Sequence, residues 1–347
     1  MTELIVTNFN RNFTGVSATA AGVVRQQIDR YDMALAGVAL PGCPDPVTTA
    51  QARALTRQPP QRRPFAIWHV RRNTEMRAAI WARDVLRLPI RIVFTSAAIR
   101  RHSAFPRWLI SRMDAVIATT EAAAGFVPHV RGVVPHGVDT ERFSPAGDRA
   151  AAWAATGYPG TRGIATIGRI RPEKGSDRFV EAMLRFLPEN PGVTALLIGR
   201  AGRAHQPFQE ELQARISAEG LADRVLFPGE IAPDALPALM RGLSAVVQLP
   251  RYEGYGMAPL EGMASGVPFV ATDQGYYRSF SGQGQAGAIV PEDDPDATIA
   301  ALSDLLNTPD RFRKMAQSAR DAATTHFSIA SEADGIDAVY QALWQSQ

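Results

Sequence analysis

Short apolar runs alternate along the chain with longer stretches whose apolar residues recur at helical spacing. In the first half the runs at residues 4–7, 33–38, 65–70, 90–94 and 115–119 predict strands. Residues 16–30 and 74–88 lie between them and predict helices, while the proline-bearing segments 41–46 and 59–64 predict loops. Strands alternating with helices imply a parallel sheet covered by helices, hence an α/β fold.

The alternation restarts after residue 160. Strands are predicted at 163–167, 193–198, 225–228, 245–249 and 268–271. Between them lie helices carrying Phe179, Val180, Met183, Leu184 and Leu187 on one face, then 206–218, 233–241 and 257–265. Two consecutive strand–helix series predict two Rossmann-like domains. The boundaries expected are 1–145 for the first domain and 146–327 for the second, with a linker near 143–155. Residues 328–347 are expected to form a final helix that either packs on the second domain or crosses back to the first. Its stripe is Ile336, Val339, Tyr340, Leu343 and Trp344. The other face bears Asp337, Gln341 and Gln345, which does not suit a membrane surface.

Composition narrows the class. The chain has 347 residues, 46% hydrophobic and 20% charged, ordinary values for a globular protein of two cores. No apolar run approaches the roughly 18 residues that span a bilayer, and residues 1–6 read as a strand, not a signal peptide. Cys43 is the sole cysteine, so no disulfide framework or cysteine-based zinc site is expected, and a reducing cytoplasm fits. The net charge of +3 hides an asymmetry: residues 1–147 hold 19 basic against 10 acidic residues, and 148–347 hold 18 against 24. Thirty-five of the 37 basic residues are arginine, as in a GC-rich genome, which explains the residue type but not the asymmetry. A basic first half suits an anionic membrane surface, a phosphorylated acceptor or nucleic acid.

Two loops of the second half carry the candidate chemistry. Gly168-Arg169-Ile170-Arg171-Pro172-Glu173-Lys174-Gly175 follows a strand and precedes a helix. Arg169 and Lys174 can neutralise a departing diphosphate; equally, the loop's charges could simply answer Glu173 and Asp177. Arg251-Tyr252-Glu253-Gly254-Tyr255-Gly256-Met257-Ala258 has the same strand–loop–helix setting. The amides at Gly256, Met257 and Ala258 are helix-start donors suited to phosphate. Glu261, a turn further on, can accept from a ribose diol, and Glu253 can reach sugar hydroxyls. Alone, either glutamate would read as a carboxylate favoured by the helix dipole. Asp294-Pro295-Asp296 matches a DxD pattern in form but reads as a helix start, so no metal site is expected.

These segments carry a resemblance. Glu253 and Glu261, with seven residues between them, resemble the E-x7-E signature of retaining family 4 glycosyltransferases. Arg169 with Lys174-Gly175 is similar to that family's diphosphate-binding segment. Pro135-His136-Gly137-Val138-Asp139 with Phe143-Ser144-Pro145 is similar to its segment before the interdomain linker, although the family usually has asparagine at His136. Thr14-Gly15-Val16-Ser17 stands where the family has a fuller glycine-rich loop; Gly15 then opens a helix whose amides face the donor or acceptor. The resemblance implies a GT-B fold, two Rossmann-like domains facing a central cleft. It also implies a histidine near the donor sugar, which His69 matches.

The reading is a retaining, metal-independent glycosyltransferase that needs no cofactor. Glu253, His69, Arg169 and Lys174 serve the reaction. Gly15, Arg169, Lys174, Gly256, Met257, Ala258 and Glu261 bind the nucleoside diphosphate sugar, and Arg71 and Arg72 bind an anionic acceptor. A finer likeness of residues 68–73 and 135–139 to lipopolysaccharide core mannosyltransferases implies GDP-mannose and a glycan or glycolipid acceptor, with peripheral contact at the cytoplasmic face of the inner membrane. The alternatives are a UDP-sugar donor with another acceptor, a sugar-nucleotide epimerase on the same fold, and a non-enzymatic nucleic-acid binder. The last leaves Glu253 and Glu261 without a role. A Rossmann dehydrogenase would need a glycine fingerprint where residues 8–11 read Asn-Phe-Asn-Arg.

Overall fold

The computed structural model describes residues 2–12 and 14–346. It divides into two compact units: residues 1–137 with 327–347, and residues 138–326. The boundary falls ahead of the one expected at 145/146, for a visible reason. Residues 138–145 are tied to the second unit. Arg320 donates to the carbonyls of Thr140 and Phe143, both at 2.9 Å, and Arg241 Nε donates to Ser144 O at 3.1 Å.

The first unit contains strands β1 (Leu4–Asn8), β2 (Met33–Gly37), β3 (Ala66–Val70), β4 (Ile90–Ser96), β5 (Ala115–Ala118) and β6 (Val130–Val133). They form one parallel sheet in the order β2-β1-β3-β4-β5-β6. The strand period of two sends successive side chains to opposite faces. Leu4, Val6, Ile67 and Val93 therefore share one core cluster, and Ile5, Trp68, Ile92 and Phe94 the other. The apolar stripe of the last helix, Ile329–Gln345, joins the first of these clusters through Ile336, Val339, Tyr340, Leu343 and Trp344. Polar contacts fix its rotation: Gln27 Nε2 donates to Asp337 Oδ1 at 2.6 Å, and Trp344 Nε1 donates to Phe65 O at 3.0 Å.

The single helix predicted over 74–88 is instead a helix Asn73–Ile80 running into a π-helical turn Trp81–Val85. Ion pairs of Arg83 with Asp114 (2.6 Å) and Asp84 with Arg112 (2.5 Å) tie that turn to the end of a neighbouring helix, Ala104–Ser111.

The second unit contains β7 (Arg162–Ile167), β8 (Val193–Ile198), β9 (Val225–Gly229), β10 (Leu243–Gln248), β11 (Phe269–Thr272) and β12 (Gly287–Val290). The order is β12-β11-β10-β7-β8-β9, again all parallel. Counted within the unit and read from the β9 edge this is 3-2-1-4-5-6, the dinucleotide-fold order. Strands β8 and β10 are buried along their whole length, as a sheet covered on both faces requires.

Candidate active site

In an open parallel sheet, ligands gather beyond the carboxyl ends of the strands where the winding reverses direction. In the second unit that point lies between β7 and β10. The two loops leaving it are 168–175 and 249–256, the same two that carry the candidate chemistry.

The structure stitches these loops together. Arg251 N donates to Glu173 O at 3.0 Å, and the Arg251 guanidinium forms a fork on Asp177 at 2.8 and 2.7 Å. Gly175 has φ +70°, and a Cβ there would meet Leu249 O at 1.8 Å. Only glycine lets the first loop approach the end of β10 this closely. Arg251 thus answers Asp177, and Arg171 lies 3.7 Å from Glu173. The loop's acids are accounted for without Arg169 or Lys174.

Arg169 is exposed and has no hydrogen-bond or ion-pair partner among the described residues. Lys174 Nζ donates to Glu253 Oε2 at 2.5 Å, across the junction of the two loops. The other carboxylate oxygen, Oε1, accepts from Gly254 N at 3.0 Å. The helix Met257–Ala264 starts at Gly256, whose φ is +98°; a Cβ there would lie 2.1 Å from the Tyr277 ring. No side chain caps this helix, so its first amides are open donors at the positive end of the dipole. An unpaired guanidinium, an ammonium and uncapped amides at one switch point form a site for a polyanion.

Glu261 is different in kind. Its side chain is half-buried and has no hydrogen-bond or ion-pair partner among the described residues. Burial pushes its carboxyl up to about 7, against a weaker opposing pull from Arg142. A carboxylate left without donors inside a protein is costly, and its environment suits an arriving diol. The sign of the linkage follows: a carboxyl raised in the folded state makes folding less favourable as pH rises from its unfolded value near 4.5 through about 7. Glu261→Gln is therefore expected to gain thermal stability relative to the parent chain as pH is raised from 4.5 to 7.5. Parallel melting curves at several pH values check this; a constant difference would contradict the raised carboxyl.

In the first unit the winding reverses between β1 and β3, near which Phe9 and Thr14 meet the segment of Arg72 and Glu75. Two of the expected site residues lie here, and both are engaged by other side chains. Arg72, expected to hold an acceptor, is spent internally. Its guanidinium donates to Glu75 (2.9 Å), Asn8 (3.1 Å), Ser17 (2.9 Å) and Thr14 (3.3 Å). Glu75 is fully buried and also accepts from Thr7 Oγ1 and from the amides of Phe9 and Arg71. Together they pin the start of the helix Gly15–Gln27. His69, expected to line a reacting face, has no solvent exposure. Its Nδ1 bonds the Tyr340 hydroxyl and its Nε2 bonds Thr95 Oγ1 at 2.7 Å. Burial, helped by Arg71, drives its pKa well below the ordinary value, so the ring is neutral.

Arg71 keeps a free hand. Its Nη1 is buried and unpartnered, and burial lowers its pKa against the opposing pull of the Glu332 and Glu75 carboxylates. Gly15 is exposed, with open space where a Cβ would project. His136 bonds Glu332 of the last helix (2.8 Å), and Glu332 also accepts from Gly137 N. Glu75 and Glu332 were not singled out from the sequence, where each reads as an ordinary first-turn acid of a helix. As for the DxD-like acids, Asp294 caps Ala297 N at 2.8 Å and Asp296 pairs with Arg185.

The fold and the switch-point site define a glycosyltransferase of GT-B architecture. A family model described as "Glycosyl transferases group 1" matches residues 156–322. The chain is 40% identical over 349 residues to the lipopolysaccharide core biosynthesis mannosyltransferase LpsB of Rhizobium meliloti (strain 1021), covering 98% of this chain and 97% of that one. It is 39% identical over 345 residues to the lipopolysaccharide core biosynthesis mannosyltransferase LpcC of Rhizobium leguminosarum bv. viciae, with 98% and 96% covered. The chain belongs to this family of group 1 glycosyltransferases. Among solved structures, the C-terminal domain of a group 1 glycosyl transferase, LpcC from Francisella tularensis, aligns with a TM-score of 0.54 and 34% identity, over 56% of this chain and all of that one. Anabaena HepE, in complex with UDP and glucose, aligns over 99% of this chain and 100% of its own with a TM-score of 0.81 and 17% identity, a likeness of fold.

Proposed function

We propose that the chain transfers a mannosyl group from GDP-mannose, with retention of configuration, to a hydroxyl of a lipopolysaccharide-core acceptor. The observation that carries this reading is the likeness to LpsB along nearly the whole of both chains. The second unit takes the donor. Arg169, Lys174 and the amides at Gly256, Met257 and Ala258 hold the diphosphate, Glu261 accepts from the ribose, and Glu253 orients the sugar. Before the donor arrives, Lys174 is held by Glu253; the diphosphate draws the ammonium away and releases the carboxylate to the sugar hydroxyls. The bond from the anomeric carbon to the phosphate oxygen breaks and a bond to the acceptor oxygen forms on the same face. The acceptor's proton passes to the departing phosphate. These cations and amides do the electrostatic work of a metal, so the reaction runs without a metal or other cofactor. Arg71 meets an anionic group of the acceptor. His69 supports Arg71 and Tyr340 from behind, and Gly15 leaves the helix start open to the substrates. The enzyme works at the cytoplasmic face of the inner membrane, where its lipid-linked acceptor is anchored.

A thermal-shift panel of nucleotide sugars tests the donor. GDP-mannose at about 100 times its dissociation constant should stabilise the protein by about 2.7 kcal/mol, with GDP close behind and UDP-glucose without effect. Equal stabilisation by UDP-glucose would replace the donor, and silence from every nucleotide would remove the transferase site. Loss of turnover in a chelator would overturn the metal-free mechanism.

A further inference from the structure

We propose that the π-helical turn Trp81–Val85 and the helix Ala104–Ser111 form a docking face for an anionic lipid bilayer. The idea gives the membrane contact of the proposed function a location, and rests on that reading for its purpose.

Large apolar side chains left in water are concentrated here. Trp81, Val85, Leu86, Phe105 and Trp108 are all exposed, Val85 by 62% and both Phe105 and Trp108 by 52%. Phe105 and Trp108 stack on each other at 6.2 Å while the same helix buries Leu109 and Ile110. The inner face anchors the helix and the outer face presents two rings to solvent. The Asp84–Arg112 pair joins the two elements.

The charge around the rings is net positive. Residues 73–112 contain eight arginines and two acids. One acid, Glu75, is buried, and the other, Asp84, is bound by Arg83 and Arg112. Arg87, Arg100, Arg101 and Arg107 are exposed and have no partner among the described residues. Aromatic rings at the headgroup level with arginines on lipid phosphates is the arrangement of interfacial helices. Val85 and Leu86 favour lipid over single-stranded nucleic acid, whose bases stack on flat rings. A second copy would meet the same excess of arginine and be repelled.

The test is co-sedimentation of the full chain with vesicles, without donor or acceptor, so its failure leaves the transferase reading standing. Binding is expected to vesicles of phosphatidylcholine mixed with phosphatidylglycerol, weakly or not at all to phosphatidylcholine alone, and to fall with salt. A Phe105→Ser, Trp108→Ser variant should lose about tenfold in partitioning, as should Arg100→Ser with Arg101→Ser and Arg107→Ser. These positions are exposed, so the melting temperature should not change. Brominated lipid supplies a second readout in the unsubstituted chain. Trp68, Trp153 and Trp344 are buried, so quenching reports Trp81 and Trp108. Equal binding to neutral vesicles, unchanged binding by both variants, or absent quenching would overturn the proposal. So would a patch that changes only self-association or oligonucleotide binding.

Discussion

Glu253→Gln is expected to slow transfer by about 10²–10³-fold, the usual effect of removing one preorganised polar group at a reacting centre. The amide keeps the shape and the contact with Gly254 N but loses the charge that holds Lys174 at 2.5 Å. The loss should appear in kcat with donor saturating, because the proposed contact strengthens as the sugar separates from the diphosphate. Lys174→Ala should produce a loss of similar size, and the double variant much less than the product of the two, since the groups act on one another. Thermal stability should change little, because both side chains sit at the partly exposed junction of two loops. A Glu253→Gln enzyme that turns over near the parent rate would remove Glu253 from the chemistry. Additive losses would dissolve the pair.

The second large effect belongs to the first unit. Tyr340→Ala should destabilise that unit by about 3–5 kcal/mol, the range for deleting a buried aromatic ring. Tyr340 is fully buried, packs edge-on against Tyr31 and Trp344, and bonds His69. Its loss empties space in the core and leaves a buried imidazole nitrogen unpaired. Tyr340→Phe isolates the second part and should cost about 1–3 kcal/mol. Calorimetry with and without nucleotide distinguishes the units: the first-unit transition should move down while the nucleotide-responsive transition stays in place. Movement of the nucleotide-responsive transition, or a loss below 1 kcal/mol for Tyr340→Ala, would contradict this placement.

Most of the fold was legible because buried parallel strands are continuous apolar runs and their covering helices carry clear stripes. The helix read at residues 206–218 is Gln206–Ala218, and the strand read at 193–198 is Val193–Ile198. What escaped was local weakness in the signal. Strands β6 and β12 are four-residue edge strands that each contain a glycine, VRGV and GAIV, too short and too little buried to stand out. The two units divide at 137/138, ahead of the expected 145/146, where arginine-to-carbonyl bonds from Arg241 and Arg320, distant in sequence, hold residues 140–144.

The residues of the candidate site differ in how far a sequence can reach them. Loops after strands can be found from strand order, so the segments around Arg169 and Glu253 could be chosen together. Whether an arginine is free depends on partners in other elements. Arg71 and Arg72 look alike in sequence. In the structure Arg72 is bound by Glu75, Asn8, Thr14 and Ser17, while Arg71 retains an unpartnered Nη1. No spacing rule separates them.

The return of the last helix to the first unit also sets an order of events during synthesis. Residues 138–326 are contiguous, so the second unit can close its core as soon as its own segment has left the ribosome. The unit made first must wait, with Ile67, Val93 and Ile117 lacking the cover that Ile336, Tyr340 and Trp344 supply. The part translated second is thus free to mature first. Until the last helix emerges, the nascent protein carries a finished second unit while the first still has one face of its sheet open to chaperones.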